Sequence, residues 1–228
     1  MLTSEVYGQG PTLVLIHGSP GNARTWQSVG QCLADRFTIV AVNLPDYDQA
    51  GPPDEVKPRE TDAVAEQVEA TIKNLPGPIA LAAHSYGANI ALRIAIRGNI
   101  KPDRLVLFEP VTVNVLTLAG EHDLRHQTKA VFDGYINQSQ KGDPLAVKTM
   151  IDFWFGVGAF EKFPEPVQSY LVSWSPRNVA DVQAGFRETF TYEGLAAVDC
   201  PVRVVYGTKS PKVTRVVAET IAGATPHG

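Results

Sequence analysis

Five short runs of consecutive apolar residues limit what this chain can fold into. They lie at positions 13–16, 37–42, 79–83, 105–108 and 202–206, broken only by Thr38 and Arg203, and none alternates along its length between apolar and polar. A strand that is apolar at every position needs cover on both faces, the condition met in a parallel sheet between two layers of helix. Segments of helical length separate the first four runs. Residues 25–36 form one. Residues 60–74 form another, with Val64, Val68 and Ile72 four apart on a single face and Pro76-Gly77 closing it. Residues 85–97 form a third, ending at Gly98, where glycine can take the left-handed conformation that stops a helix. Strand and helix in alternation predict an α/β fold, with a mostly parallel central sheet, helices on both sides and right-handed crossovers.

The alternation stops after Pro110. Positions 112–200 hold no strand-like run, but they carry Trp154, Trp174, many Phe and Tyr, and helical stretches at 128–138 and 145–155. The simplest organisation is one core built from 1–111 and 201–228, interrupted by a helical insertion at 112–200. A last helix is expected at 213–222. The few residues after it cannot supply a further strand of about five residues and its turns, so the final strand of the sheet is expected to be missing.

Charge and cysteine content narrow the function classes. A net charge of −4 on 228 residues offers no electrostatic reason to bind nucleic acid or an anionic membrane. The opening MLTSEVYGQG has neither the basic nor the apolar region of a signal peptide, and no apolar run reaches membrane-spanning length. The two cysteines, Cys32 and Cys200, are far apart in largely apolar surroundings and read as buried free thiols of a reducing compartment. A cytoplasmic protein acting on a small molecule is expected.

The chemistry concentrates in two places. In LAAHSYGANIAL, residues 81–92, a strand meets a helix with Ser85 at the turn. A serine held there is exposed and strained, so its neighbours two before and two after must be small; Ala83 and Gly87 meet that condition. The following helix aims its free N–H groups and the positive end of its dipole at the same point. Ser85 could also serve as an ordinary helix N-cap, but the strand before and the helix after favour a nucleophile. The second place is His17-Gly18-Ser19-Pro20-Gly21, directly after the first strong strand. The backbone N–H groups of Ser19 and Tyr86 would together form an oxyanion hole for an acyl tetrahedral intermediate.

Strand-HGSPG, strand-AHSYG, strand-LFEPV, a helical insertion and strand-VYGTKSP together resemble the α/β-hydrolase fold over nearly the whole chain. The resemblance implies a serine hydrolase of ester-like, largely apolar substrates, with the insertion as a cap over the site and no cofactor. Serine at position 85 argues against the branches that place aspartate there. It also implies a carboxylate to orient a histidine. Thr208-Lys209-Ser210 offers none after the fifth run, but the resemblance includes a branch whose acid stands at the end of the preceding strand, where this chain has Glu109. The alternative is a carboxylate that only satisfies backbone N–H groups in its loop. The histidine is expected after a last strand, and His227 precedes where that strand would begin, so the base is not placed by this sequence. His84 is expected to point away from Ser85. His122 and His126 share a helical face but read as solvated, and no metal is expected. Phe153, Trp154 and Phe155 would favour an apolar acyl or alcohol group. The competing reading is a non-catalytic ligand-binding relative, or a truncated and inactive fragment, with the pocket kept and the triad incomplete.

Overall fold

The computed structural model describes residues 1–48 and 51–228. Six strands form one sheet in the order β1-β3-β2-β4-β5-β6. They are β1 (Ser4–Gly8), β2 (Thr12–Ile16), β3 (Thr38–Val42), β4 (Ile79–His84), β5 (Arg104–Phe108) and β6 (Val202–Val205). β2 to β6 run parallel, and β1 lies antiparallel on the outside of β3. The five apolar runs are therefore the five parallel strands. β1 was not anticipated. It is an edge strand whose faces alternate, with Val6 60% exposed, so its sequence lacks the continuous apolar signature of a strand covered twice.

Successive side chains on a strand point to opposite faces, and here each face has its own helices. Val14, Ile16, Val40, Val42, Leu81 and Leu105 turn towards α2 (Thr61–Ile72), α3 (Tyr86–Arg97) and α8 (Lys212–Ala224). Leu13, Leu15, Ile39, Ala41, Ala80 and Ala82 turn the other way, where Trp26 and α1 (Gln27–Leu33) lie. Val64, Val68 and Ile72 of α2 are all buried, as their spacing of four requires. Each fully covered aliphatic side chain contributes about 1.5–3 kcal/mol. Gly98 follows α3 at φ 69, and its N–H closes the helix onto Ile94. Cys200 is buried as expected, whereas Cys32 is exposed, because α1 is a single layer with one face in solvent.

Between β5 and β6 the chain makes α4 (His122–Gln140), α5 (Val147–Phe155), α6 (Glu165–Arg187) and α7 (Tyr192–Ala196), and no strand among the described residues. Phe132, Tyr135, Val147, Met150, Ile151 and Leu171 give this segment an apolar centre of its own. α6 is the longest helix and the one the sequence concealed. Pro176 sits inside it, and its missing N–H and ring normally end a helix. Packing on both sides overrides that preference: Trp174, Ser175, Arg177, Asn178, Val179 and Ala180 around the proline are all buried.

Candidate active site

The sheet order reverses between β2 and β4: the chain moves outward through β3 on one side and through β5 and β6 on the other. In parallel sheets the crevice beyond the strand ends at such a reversal is where ligands bind. The two sequence motifs meet there, the His17–Gly21 loop leaving β2 and the Ser85 turn leaving β4.

Ser85 has φ 53 and ψ −122, outside the regions that residues with a side chain ordinarily occupy. Its N–H donates to Phe108 O at 2.9 Å and its C=O accepts from Ala88 N at 2.9 Å, so β5 and the first turn of α3 hold this conformation from both sides. Ser85 stands at the N-cap position of α3, yet its side chain makes no capping hydrogen bond, which removes the ordinary explanation for a serine there. Close approach explains the small neighbours. A Cβ built on Gly18 would lie 2.9 Å from Ser85 Cβ and 3.0 Å from His84 Nδ1, and one on Gly87 would lie 2.3 Å from His17 O.

A cavity of about 240 Å³ opens beside the turn, lined by Gly18, Ser19, His84, Ser85, Glu109 and Trp154 among others. A smaller pocket continues inward past Tyr86, Val113, Phe132, Asn178, Asp181 and Phe186. Ser19, Ser85, Tyr86 and Glu109 are thus brought together. Glu109 adopts φ 47, and its Oε1 accepts from Gly207 N at 2.9 Å and from Ser210 Oγ. The turn after β6, which carries no acid, instead supplies donors that hold the carboxylate of Glu109. Trp154 lines both spaces and Phe155 the outer one, while Phe153 packs edge-on against Phe132 at 5.3 Å.

Four of the five histidines lie away from this role. His17 is buried with both nitrogens engaged: Nδ1–H donates to Gly18 O at 2.7 Å, and Nε2 accepts from Leu44 N at 2.9 Å. That pairing requires the neutral ring, and burial lowers its pKa to about 4. His122 and His126 are exposed on α4, and among the described residues no group of three or more metal-ligating side chains converges. His227 accepts through its carbonyl from Val202 N at 3.0 Å, at the start of β6. Ser85 follows the end of β4, so the two are separated by roughly 10 Å or more of strand at about 3.3 Å per residue. His84 departs from expectation. As the last residue of β4 it keeps the strand's alternation and lines the face of Ala80 and Ala82, but its ring also lies beside Gly18 and shares the cavity wall with Ser85 and Glu109. Burial lowers its pKa and Glu109 opposes that shift.

The buried neutral His17 has a consequence for acid stability. Its folded pKa lies below the ordinary 6.5, so between pH 6.5 and about 4 the unfolded chain binds a proton that the folded one refuses. Stability is full above pH 6.5 and falls by about 3 kcal/mol as pH drops through that window. Urea titrations at pH 7.5 and 4.5 should show this loss in the wild type and a smaller one in His17→Asn; equal losses would assign the acid sensitivity elsewhere.

The sequence profile of the alpha/beta hydrolase family matches residues 13–227. The chain belongs to that family. Among its relatives, the (E)-2-((N-methylformamido)methylene)succinate hydrolase of Acinetobacter baylyi is 24% identical over 97% of this chain and 81% of its own length. The pimeloyl-[acyl-carrier protein] methyl ester esterase of Nitrosomonas europaea is 28% identical over 45% of this chain and 38% of its own. Among solved structures, MenH from S. aureus superposes with a TM-score of 0.75 at 18% identity, covering 100% of this chain and 87% of the other. An esterase from Thermogutta terrifontis gives 0.71 at 22% identity, covering 99% and 82%. The hydrolase and esterase names among these relatives support a hydrolase function. Among the described residues no helix is long and apolar enough to cross a membrane.

Proposed function

We propose that this chain is a serine hydrolase that cleaves an ester, or a related acyl compound, with a small and largely apolar acyl group. The observation that carries the reading is the strained backbone of Ser85, held without a capping role at the mouth of a cavity. Ser85 Oγ attacks the carbonyl carbon, and the backbone N–H groups of Ser19 and Tyr86 receive the developing oxyanion, the largest single source of stabilisation in such reactions. Glu109, anchored by Gly207 and Ser210, orients the imidazole that takes the serine proton. Residues 112–200 serve as the cap, with Val111, Phe132, Met150, Trp154 and Phe186 as apolar walls. Arg59 and Arg177, the cations behind the pocket, are paired with Asp46 and Asp181, which disfavours an anionic acyl group. The substrate is a small molecule, no cofactor is needed, and the setting is cytoplasmic.

A second reading, a ligand-binding protein without turnover, is favoured by one observation: among the described residues no imidazole is hydrogen-bonded to Ser85. Fluorophosphonate labelling of the purified protein, with the adduct mapped by mass spectrometry, separates the two. A hydrolase gives one adduct, on Ser85, and Glu109→Gln slows its formation by on the order of 10³–10⁴-fold. A folded protein that takes no label is the non-catalytic relative. Labelling also shows that a proton acceptor exists within these residues, and His84→Gln then decides whether His84 is that acceptor.

A further inference from the structure

We infer that Asp181 and Asn178, on α6 of the insertion, are positioning residues for the Ser19 end of the oxyanion hole, so that the cap sets the geometry of the reacting centre. The inference rests on the Ser19 role proposed above. The Ser19 hydroxyl donates to Asp181 Oδ2 at 2.8 Å and accepts from Asn178 Nδ2 at 2.9 Å. These partners are 159 and 162 residues away in the chain, and both come from one face of one helix. Each is itself held. Tyr135 OH donates to Asn178 Oδ1 at 2.8 Å, which directs the amide NH₂ at Ser19. Asp181 Oδ1 accepts from Arg177 at 2.6 Å, and its Oδ2 also accepts from Tyr47 OH at 2.8 Å. Arg177 reaches on to Asp46 at 3.2 Å and to Lys57 O at 3.0 Å, and Asp46 is clasped by Arg59.

The network is buried: Tyr47, Tyr135, Arg177, Asn178 and Asp181 are each 4% exposed or less. Two carboxylates face two guanidinium groups, so it carries no net charge. Burial raises the Asp181 carboxyl from its ordinary value while Arg177 and the two hydroxyls draw it down. Burial and Asp181 together push the Tyr47 phenol well above its usual value, which keeps it a donor. Apart from Arg177 Nε, which has no partner among the described residues, the polar groups of this network are paired, and such a network in a low-dielectric interior is stiff because displacement would leave further members unpaired. A tight loop alone would leave Ser19 free to turn, whereas two partners on its hydroxyl fix the residue whose amide meets the oxyanion. Asp181, although it lines the inner pocket, is fully engaged and is not assigned to touch substrate.

The test uses Ser19→Ala, which keeps the backbone N–H and the Asp181–Arg177–Tyr47 contacts but removes the tether, and Asp181→Asn beside it. Two readouts are needed. Hydrogen–deuterium exchange over residues 17–21 should speed up by about tenfold in both variants while α3 stays protected. With a p-nitrophenyl ester, kcat should fall by about tenfold to a hundredfold with KM little changed, a fraction of the 10²–10³ for losing an oxyanion donor outright. Unchanged exchange in Ser19→Ala overturns the inference, as does an equal change in KM and none in kcat. If Asp181→Asn fails to fold, Ser19→Ala decides alone. If wild-type Ser85 proves unreactive, the hydrolase reading falls, and the exchange experiment still shows whether α6 fixes the loop.

Discussion

Ser85→Ala is expected to lose all turnover and all fluorophosphonate labelling, and Ser85→Gly to lose the same chemistry while becoming the more stable of the two. The first result follows from removal of the attacking oxygen. The second follows from the backbone. At φ 53 and ψ −122 any Cβ is strained, at a cost of order 1–3 kcal/mol, and alanine keeps the Cβ. Glycine relieves that strain but adds about 0.5–1 kcal/mol of unfolded-state entropy. The balance favours glycine by about 1 kcal/mol, or about 2–4 °C in Tm for a chain of this size. Thermal melts of the three proteins, run beside the labelling assay, provide the check. A glycine variant no more stable than the alanine variant would mean that Ser85 is not strained, and the argument for a built nucleophile would lose its support.

Gly87→Ala should be among the most damaging single-methyl additions in the molecule. The new Cβ would stand 2.3 Å from His17 O and 2.7 Å from Ile16 O. Both are backbone atoms at the end of β2, a strand paired on each side, so neither can rotate away as a side chain would. The N-terminus of α3 must then move off the sheet, carrying Ser85 and the Tyr86 amide away from the Ser19 loop. Overpacking of this kind costs about 1–3 kcal/mol, and the rigidity of the obstructing backbone puts Gly87 at the upper end. A fall in Tm of about 6–12 °C is expected, together with a loss of labelling larger than the loss of stability explains. A variant that melts within 2 °C of the wild type would show that the helix and strand are less tightly apposed than these distances require.

Ser85, Glu109, Ser19 and Tyr86 were singled out before any coordinates, since each stands beside a strand end that its apolar run marks, and the structure gathers the four around adjoining pockets. Glu109 was put forward on the family resemblance, and in the structure the turn at 207–210, which carries no acid, supplies the donors that hold its carboxylate. Asp181 and Asn178 had no comparable signal. Their helix is interrupted in sequence by Pro176, and a buried aspartate is indistinguishable from a solvated one until its partners are known. His84, expected to point away from Ser85, ends β4 on the face of Ala80 and Ala82, yet its ring also borders the cavity beside Gly18, a neighbour brought there by the loop after β2 and not visible in its own strand.

The fold class, the parallel strands and the tight turn at Ser85 followed from local rules: which residues can be covered on two faces, and which positions tolerate only a small side chain. Those rules act over a few residues, so the order of the chain contains them. The edge strand β1, the path of α6 through Pro176, the exposure of Cys32 and the tether from α6 to Ser19 depend on which distant segments become neighbours. Their energies come from burial and from hydrogen bonds between partners more than a hundred residues apart, and these exist only once the sheet and the insertion have closed on each other.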